Sequence, residues 1–493
     1  MSKSKSEYRS IFKATAILGS VQLFNIIIGV VRNKIVSMLL GPTGMGIIGL
    51  LQSSSSTVSG FTNCGISASS VKNIAMAHEE KNYTLLGKVI YTIKRLIYCT
   101  GTLASLILLI FCKQFSVWSF GNEDFTLSFA CLSISLLFTQ LTSIYQTIIK
   151  GCRYIKFYAK ANVLGNLISL LVSVPLYFVW GKEAIVPELI IVSVSTFLFA
   201  YYYQRKIGIK EGKASKEEFK DISVDILKMG IPLAVSEIFP IMASYLIRIH
   251  VADGGGVIDV GLYSAGFAIL NGYVGMIFTA MSSDFIPRLS AIVNDNDACQ
   301  KTINSQIHLA ILILFPILLL LIALAKLVVW ILYSAEFYPM IGMIYWGALG
   351  MLLKTFNWCY GCVLIPKRDS RPYFIFSVLS AVIYLGASIG LYSLFGVTGL
   401  GLAFLVSHAT DFLIGYLYIS SKYGIELEFS IFMQLLIMSG VIGSFIFIQS
   451  TFEMNTWLYI IEGSIIIAAA IYSLIQLNKL MDLKSFVVNK FKK

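Results

Sequence analysis

Residues 29–44 read GVVRNKIVSMLLGPTG, an apolar run that contains two cations and ends in a Gly-Pro-Thr-Gly turn. About 20 apolar residues are enough for a helix to cross the hydrocarbon core of a membrane. Arg32 precedes Gly41 by nine residues, so a helical rise of 1.5 Å per residue places it about 13 Å from the turn. That position is near the middle of a core about 30 Å thick, where a charge needs a partner or a wet cavity.

The composition of the whole chain indicates an integral membrane protein. Of its 493 residues, 57% are hydrophobic and only 13% are charged, and the mean hydropathy is +0.79. These values exclude an ordinary soluble protein. The polar, basic residues 1–10 precede a run long enough to span, so we predict no cleavable signal peptide. We attribute the net charge of +12 to cytoplasmic loops and not to nucleic-acid binding.

We predict an all-α polytopic membrane protein with about 14 transmembrane helices. The predicted segments are 11–40, 44–68, 95–112, 125–149, 161–180, 185–204, 228–252, 260–283, 307–333, 340–365, 373–395, 399–420, 431–449 and 457–478. Lys and Arg concentrate in every second connection, and the opposite connections hold only Lys113 and Lys182. This asymmetry predicts that both termini are cytoplasmic.

The two halves of the chain resemble each other at offsets of 212–216 residues. Arg32 corresponds to Arg248, and Met45-Gly46 corresponds to Val260-Gly261. This spacing predicts two parallel, pseudo-symmetric six-helix lobes around a central cavity, with two further helices after them. The predicted divisions are 1–204 for the first lobe, 205–227 for a cytoplasmic linker, 228–420 for the second lobe, 421–478 for the extra helices and 479–493 for a basic amphipathic tail. The linker is either an interfacial helix that starts at a Ser215–Glu218 capping box or a solvated basic loop.

Five basic residues belong to neither set of connections, and four of them are predicted site residues: Arg32, Lys34, Arg248 and Lys354. A cation at the membrane centre costs about 3 kcal/mol, so such residues usually face a water-filled cavity or a partner. We predict that the four line the cavity and bind an anion, because Arg and Lys suit phosphate and diphosphate groups. Snorkelling and structural ion pairing remain alternatives. Lys326, near a helix end, is expected to snorkel.

Two acidic residues and four turn or kink positions complete the predicted site. Glu237 and Asp411 lie within predicted membrane helices, and each either couples transport to H⁺ or Na⁺ or neutralises a neighbouring cation. The predicted gate or hinge positions are Gly41, Pro42, Gly44 and Pro240.

No arrangement typical of an enzyme is found in the sequence. The four His residues are scattered, and Walker and Gly-x-Ser-x-Gly motifs are absent. Cys359 and Cys362 form the only close Cys pair, in an apolar helix without a neighbouring His, so we predict no metal site and no cofactor.

Six motifs follow one another along the chain: LGPTGMG at 40–46, FGNEDF at 120–125, IKGCR at 149–153, VGLY at 260–263, FIPRLS at 285–290 and LIPK at 364–367. This ordered series resembles the Wzx-type flippases of lipid-linked oligosaccharides, within the multidrug/oligosaccharidyl-lipid/polysaccharide (MOP) superfamily. It is similar to the O-antigen and enterobacterial common antigen flippases, although the latter type usually ends after twelve helices.

The resemblance implies a transporter of the bacterial cytoplasmic (inner) membrane. It would export undecaprenyl-diphosphate-linked repeat units by alternating access, without ATP, for O-antigen, lipopolysaccharide or other surface polysaccharide biosynthesis. Its implied partners are the lipid-linked oligosaccharide, membrane lipids, and a polysaccharide polymerase with its chain-length machinery. In this family, basic residues of the central cavity bind the diphosphate and the sugar.

Three alternatives remain. A cation-coupled multidrug exporter of the same superfamily would carry acidic groups where this chain has cations. A membrane polysaccharide polymerase or ligase would need a large outer loop, and the predicted outer connections are short. A structural membrane scaffold would give no reason for an Arg at the membrane centre.

Overall fold

The computed structural model describes residues 2–209, 211–367, 369–452 and 456–481, and within these ranges it contains sixteen α-helices and no β-strand. Helices α1–α8 are Ser2–Asn63, Ile66–Glu79, Tyr83–Ile110, Cys112–Phe120, Thr126–Gly151, Ile155–Trp180, Ile185–Arg205 and Lys216–Phe267. Helices α9–α16 are Met276–Ala291, Asn296–Ala323, Ala325–Leu332, Ile341–Leu364, Ser370–Phe395, Val397–Tyr423, Phe429–Thr451 and Thr456–Met481. A π-helical stretch, Ala268–Val274, joins α8 to α9.

Ten helical stretches of the described chain are long and apolar enough to cross a membrane. Three of them, Phe24–Asn63, Ile155–Arg205 and Lys216–Ala291, have 40, 51 and 76 residues, so each is long enough for two of the predicted spans. The fourteen predicted segments lie mainly on helices, although Cys64-Gly65 interrupt segment 44–68 and Leu324 interrupts segment 307–333. The predicted class, an all-α polytopic membrane protein, is confirmed.

Several helices extend well beyond the apolar segments that predicted them. Helix α3 starts at Tyr83, where the side chain of Asn82 accepts a hydrogen bond from the backbone N–H of Leu85. Helix α10 starts at Asn296, where Asp295 caps the backbone N–H of Ala298 in the same way. Side-chain caps set these starts, whereas hydropathy detects only the apolar part of each helix.

Helices α1 and α8 each contain one residue with non-helical dihedral angles. These residues are Gly41 (φ 62°, ψ −168°) and Gly256 (φ 76°, ψ −176°). Both positions have a positive φ that glycine adopts without a steric penalty. They lie 215 residues apart, which is the spacing of the predicted repeat.

The chain forms two compact units. The first unit consists of Met1–Gly261 with Leu332–Ser334, and the second consists of Leu262–Ile331 and Ala335–Lys493. Compactness therefore divides the chain after Gly261, whereas the sequence repeat divides it at the linker 205–227. The division into two homologous lobes stays a prediction, and the basic tail lies almost wholly outside the described residues.

The first part of α8 packs within the first unit. Its start carries the predicted capping box, because the Ser215 hydroxyl accepts from the Glu218 N–H (3.2 Å) and the Glu218 carboxylate accepts from the Ser215 N–H (2.9 Å). Lys88 donates to Glu218 (2.6 Å), and Tyr245 shares a 2.8 Å hydrogen bond with Ser119. The predicted linker is thus helical from Lys216 onward.

The second unit packs its helices closely through small residues, as membrane helices commonly do. Helix α14 lies against α12 at Gly401, where an added Cβ would come within 2.4 Å of the Met343 carbonyl oxygen. At Gly350 an added Cβ would lie 3.1 Å from the Cα of Leu405. This close approach places Lys354, one turn farther along α12, beside the side chains of α14.

Candidate functional site

Three of the four predicted cations, Arg32, Lys34 and Arg248, lie in the first unit, and Lys354 lies in the second. All four are partly buried on long helices. They differ in their hydrogen-bond and ion-pair partners, and these partners affect how strongly each cation can attract an anion.

Arg32 forms an ion pair with a carboxylate that the sequence analysis did not single out. Its Nη2 donates to Oε1 of Glu188 at 2.7 Å, and the Glu188 side chain is fully buried. Ser173 donates to the same oxygen at 2.7 Å, and the Tyr177 hydroxyl donates to Oε2 at 3.2 Å. Arg32 itself keeps about a quarter of its side chain exposed, and its buried Nε has no hydrogen-bond partner within the described chain.

Glu188 is not among the predicted site residues, because it lies in the first turn of α7, at the end of a predicted span. A carboxylate there looks solvated. The available signal was its position as the single acid in the otherwise apolar run IVPELIIV.

Lys34 and Arg248 are engaged by uncharged groups. The Lys34 amine donates to the backbone carbonyl of Tyr333. Arg248 donates through Nη1 to the carbonyl of Ser244 (2.8 Å) and to its hydroxyl (2.5 Å). These acceptors orient the two side chains.

Lys354 lies among neutral and aromatic groups. Its Nζ donates to Oδ1 of Asn271 at 2.5 Å and stands 5.9 Å and 5.8 Å from the ring centroids of Phe278 and Phe404. It forms no ion pair with any residue that the structure describes. Ring faces attract a cation but do not cancel its charge.

Asp411 lies in the same unit, in α14. Its Oδ2 accepts from the Ser380 hydroxyl at 2.7 Å and lies 3.6 Å from Nδ1 of His408. Asn357 donates to the His408 carbonyl at 3.0 Å and so fixes this turn of α14 against α12. In the described part of the chain, Asp411 pairs with no Arg or Lys. It therefore does not act here as the neutralising partner of a predicted cation.

Glu237 lines a polar cavity of about 510 Å³ within the first unit. We call this cavity the hydroxyl pocket. Its polar lining includes Ser55, Ser59, Asn63, Thr139, Thr196 and Glu237. Glu237 is exposed to the cavity and forms no ion pair with another described residue. Like Asp411, it does not neutralise a predicted cation.

Two of the predicted gate residues, Gly41 and Pro42, lie beside a backbone contact between α1 and α8. A Cβ added to Gly46 would come within 1.9 Å of the Val257 carbonyl oxygen, and one added to Gly261 within 1.9 Å of the Pro42 carbonyl oxygen. Each glycine therefore packs on the carbonyl that follows the other helix's kink. We call this pair of approaches the glycine contact.

The other two predicted gate positions do not take part in the glycine contact. Gly44 packs on Leu40 of its own helix. Pro240 predicts a kink in this helix, but the residue of α8 with non-helical dihedral angles is Gly256. A membrane helix tolerates a proline when neighbouring groups satisfy the backbone carbonyl that it leaves unpaired.

Cys359 and Cys362 are buried, unpaired thiols. Within the described residues there is no group of three or more His, Cys, Asp or Glu that could hold a metal ion.

Comparisons with known proteins place this geometry in a family. A family model described as "Polysaccharide biosynthesis protein" matches residues 35–342. The Lipid III flippases of Escherichia coli (strain K12) and Shigella flexneri are each 21% identical to this chain over 379 residues, which cover 75% of this chain and 88% of the relative.

Solved structures show the same fold at lower sequence identity. The Lipid II flippase MurJ in an inward closed conformation is similar at a TM-score of 0.70 and 13% identity. The match covers 94% of this chain and 98% of the MurJ chain. An inward-facing multidrug resistance MATE family transporter of the MOP superfamily is similar at a TM-score of 0.64 and 15% identity, over 85% and 96%. The fold is thus that of a MOP-superfamily transporter, as the motifs implied, and the family model covers more than half of the sequence. The chain belongs to the polysaccharide biosynthesis protein family.

Proposed function

We propose that the protein is a flippase that moves undecaprenyl-diphosphate-linked oligosaccharide repeat units from the inner to the outer leaflet of the bacterial cytoplasmic membrane. The transporter fold and the relatives named Lipid III flippase support this function. The flipped unit would feed the synthesis of a surface polysaccharide such as O-antigen, with a polymerase and chain-length machinery downstream.

The observation that carries the proposal is the charge of Lys354. A cation within a membrane helix, with neutral and aromatic neighbours and no carboxylate to pair with in the described structure, favours an anionic ligand. The diphosphate of a lipid-linked sugar supplies that anion. Cationic drugs, the cargo of the alternative multidrug exporter, would be repelled from this position.

The basic residues of the first unit have a related role. The Tyr333 and Ser244 carbonyls accept hydrogen bonds from Lys34 and Arg248 and so orient these two side chains. Arg32 is held by Glu188 through one nitrogen, and its partnerless Nε leaves donor capacity for a phosphate oxygen. Each of these side chains would bind the diphosphate without a metal or other cofactor.

Transport would proceed by alternating access, with the glycine contact as the gate on the predicted outer side. The backbones meet this closely because Gly46 and Gly261 lack a Cβ. The contact is therefore sensitive to a single methyl group at either glycine. Opening would separate the segment after Gly41 from the segment after Gly256.

Two carboxylates are candidates for coupling to H⁺ or Na⁺. Asp411 is held by Ser380 and His408, and Glu237 is exposed to the hydroxyl pocket. Binding of a cation at either residue would help to return the emptied, positively charged transporter to the inner side. Transport by an Asp411→Asn variant should then lose its dependence on the ion gradient, whereas the wild-type protein should keep that dependence.

The proposal is tested by removing the unpaired charge. Lys354→Met should lower the initial rate of flipping in reconstituted vesicles by at least about tenfold, because a charge-assisted hydrogen bond to phosphate is lost. Lys354→Arg should retain most of the rate. Lys326→Met, which removes an exposed cation in the same unit, is the matched control and should flip normally.

Equal rates for Lys354→Met and Lys326→Met, both correctly folded, would contradict the proposal. Loss of drug resistance in cells that carry Lys354→Met, with export of surface glycan intact, would favour the multidrug exporter instead.

A further inference from the structure

The hydroxyl pocket differs in charge from the rest of the predicted site. Its lining comes from α1, α5, α7 and α8, all within the first unit, and among the described lining residues there is no Arg or Lys. Its single charged group is the Glu237 carboxylate. A diphosphate would therefore be repelled from this cavity.

Three hydroxyl groups of the pocket donate their protons to backbone carbonyls. Thr139 donates to the Ser135 carbonyl (2.9 Å), and Thr196 donates to the Ser193 carbonyl (2.9 Å). Ser135 donates to the carbonyl of Leu189 at 3.0 Å. Each hydroxyl oxygen keeps lone pairs that can accept a hydrogen bond from a ligand.

Two further acceptors in the pocket lack any partner. The Asn63 Oδ1 and the Ser55 Oγ are buried and form no hydrogen bond within the described structure. A buried polar atom without a partner is costly, so each such atom calls for an explanation. Together with Glu237, they make the cavity rich in acceptors and give it a charge of −1.

We propose that the hydroxyl pocket binds the sugar part of the lipid-linked substrate, that this sugar is uncharged or carries an amine, and that Glu237 excludes acidic sugars. This inference rests on the proposed flippase function. Sugar hydroxyl and amide N–H groups can donate to these acceptors, whereas a uronic acid would set its carboxylate against that of Glu237. Glu237 is thus a specificity-determining residue.

The volume of the cavity fits a bound sugar better than a single bound ion. About 510 Å³ lies within the range of about 300–1,000 Å³ that small-molecule sites occupy. A bound metal cation instead draws its oxygen ligands to about 2.5 Å. The cavity has room for one or two sugar rings.

The first experiment compares two synthetic substrates in vesicles that contain the full chain. One carries a terminal N-acetylglucosamine, and the other carries the same sugar oxidised to a uronic acid. We expect the wild-type protein to flip the neutral substrate at least about tenfold faster, since a like-charge contact in a partly desolvated site opposes binding strongly. In Glu237→Gln this ratio should fall to about threefold or less.

The ratio separates specificity from coupling. If Glu237 served only ion coupling, the Gln variant would slow both substrates by one factor and leave the ratio unchanged, which would overturn the inference. A wild-type preference for the acidic substrate would overturn it as well.

A binding measurement separates this inference from the flippase function. Saturation-transfer NMR on the solubilised full chain, with the free disaccharide of N-acetylglucosamine as the probe, should detect binding. The signal should fall at least about threefold in Ser55→Ala/Asn63→Leu and persist in Ser53→Ala, whose hydroxyl donates to the Leu50 carbonyl on the same helix outside the pocket.

Binding that is lost in the double variant, without flipping of either substrate, would sustain the pocket and refute the flippase. Flipping without detectable binding, and with no discrimination between the two substrates, would refute the pocket and leave the flippase intact.

Discussion

At the scale of single residues, Arg32 and Lys354 differ in whether a carboxylate compensates their charge. Arg32 shares a buried carboxylate with Ser173 and Tyr177, whereas Lys354 has only an amide oxygen and two rings. A buried ion pair contributes little net stability, but removing one member leaves an uncompensated charge. The two cations should therefore respond differently to loss of their neighbours.

Glu188→Gln should destabilise the protein by about 2–4 kcal/mol, because Arg32 would lose the carboxylate that compensates its charge. Thermal unfolding in detergent measures this loss. Glu188→Asp, which keeps the charge, should recover part of the stability. A melting temperature of Glu188→Gln equal to that of the wild-type protein would contradict this account of the pair.

The charge-reversed double variant Arg32→Glu/Glu188→Arg separates stability from transport. It should recover stability relative to Glu188→Gln, because the pair is restored with opposite polarity. It should not recover flipping, because the position that faces the substrate would then carry a carboxylate. Recovery of full transport would mean that Arg32 has a purely structural role.

Hydropathy and depth were enough to predict the four cations, because a charge inside an apolar run is visible without a structure. Glu188 was not predictable in the same way. Its partner is 156 residues away in sequence, and its position in an apolar run does not reveal which group it pairs with. Whether such a charge is functional or structural depends on partners that are distant in sequence.

At the scale of helices, glycines at 215-residue spacing shape the ends of two hairpins. The Gly-Pro-Thr-Gly turn was predicted from its residues, and the structure reduces it to one non-helical residue, Gly41. The equivalent kink at Gly256 lies in a run of three glycines. The sequence favoured Pro240 instead, because proline is the commoner cause of a helix kink.

Gly261→Ala should slow flipping at least about tenfold, because the added Cβ would come within 1.9 Å of the Pro42 carbonyl oxygen and hold the hairpins apart. Gly46→Ala should do the same against Val257. Gly29→Ala is the matched control, since a Cβ there meets nothing within 4 Å. If all three variants flip at the same rate, the glycine contact is not a gate.

A second prediction concerns the connection between α12 and α13. Asp369 accepts hydrogen bonds from the side chains of Lys422, Tyr423 (2.5 Å) and Tyr418 (3.2 Å). The Lys422 ammonium, followed by the Tyr423 hydroxyl, lowers the pKa of this carboxyl below its usual value. A lowered carboxyl pKa stabilises the fold above the unfolded pKa, and this contribution disappears as the pH falls through the folded pKa.

Asp369→Asn should therefore lower the melting temperature by a few degrees at pH 7, because the bonds to Lys422 lose their charge. The difference from the wild-type protein should shrink as the pH approaches 3. Asp221→Asn, at an exposed carboxylate, serves as the control and should be neutral. A pH-independent difference would attribute the effect to packing.

At the scale of the whole molecule, composition and hydropathy were enough to predict the class, and the fourteen predicted segments lie mainly on helices. The compact units were not predictable in this way. The repeat divides the chain at the linker, but the first part of α8 packs against α3 and α4 through Glu218 and Tyr245. The predicted repeat concerns sequence alone, whereas the compact units reflect the contacts that the helices make.

The membrane potential can supply the driving force for the proposed transport. Each elementary charge that crosses 100 mV changes the free energy by about 2.3 kcal/mol, so about two negative charges moving outward release about 4–5 kcal/mol. The basic residues compensate these charges inside the protein, and no nucleotide is needed for this step.

The most direct test of the central claim is flipping by the purified chain. The protein is reconstituted in vesicles with an undecaprenyl-diphosphate-linked oligosaccharide, and the fraction exposed on each leaflet is followed after a potential is applied. We predict that the lipid-linked sugar appears on the opposite leaflet, faster with the potential negative on the loading side, and at least about tenfold more slowly with Lys354→Met. A rate equal to that of protein-free vesicles would contradict the account.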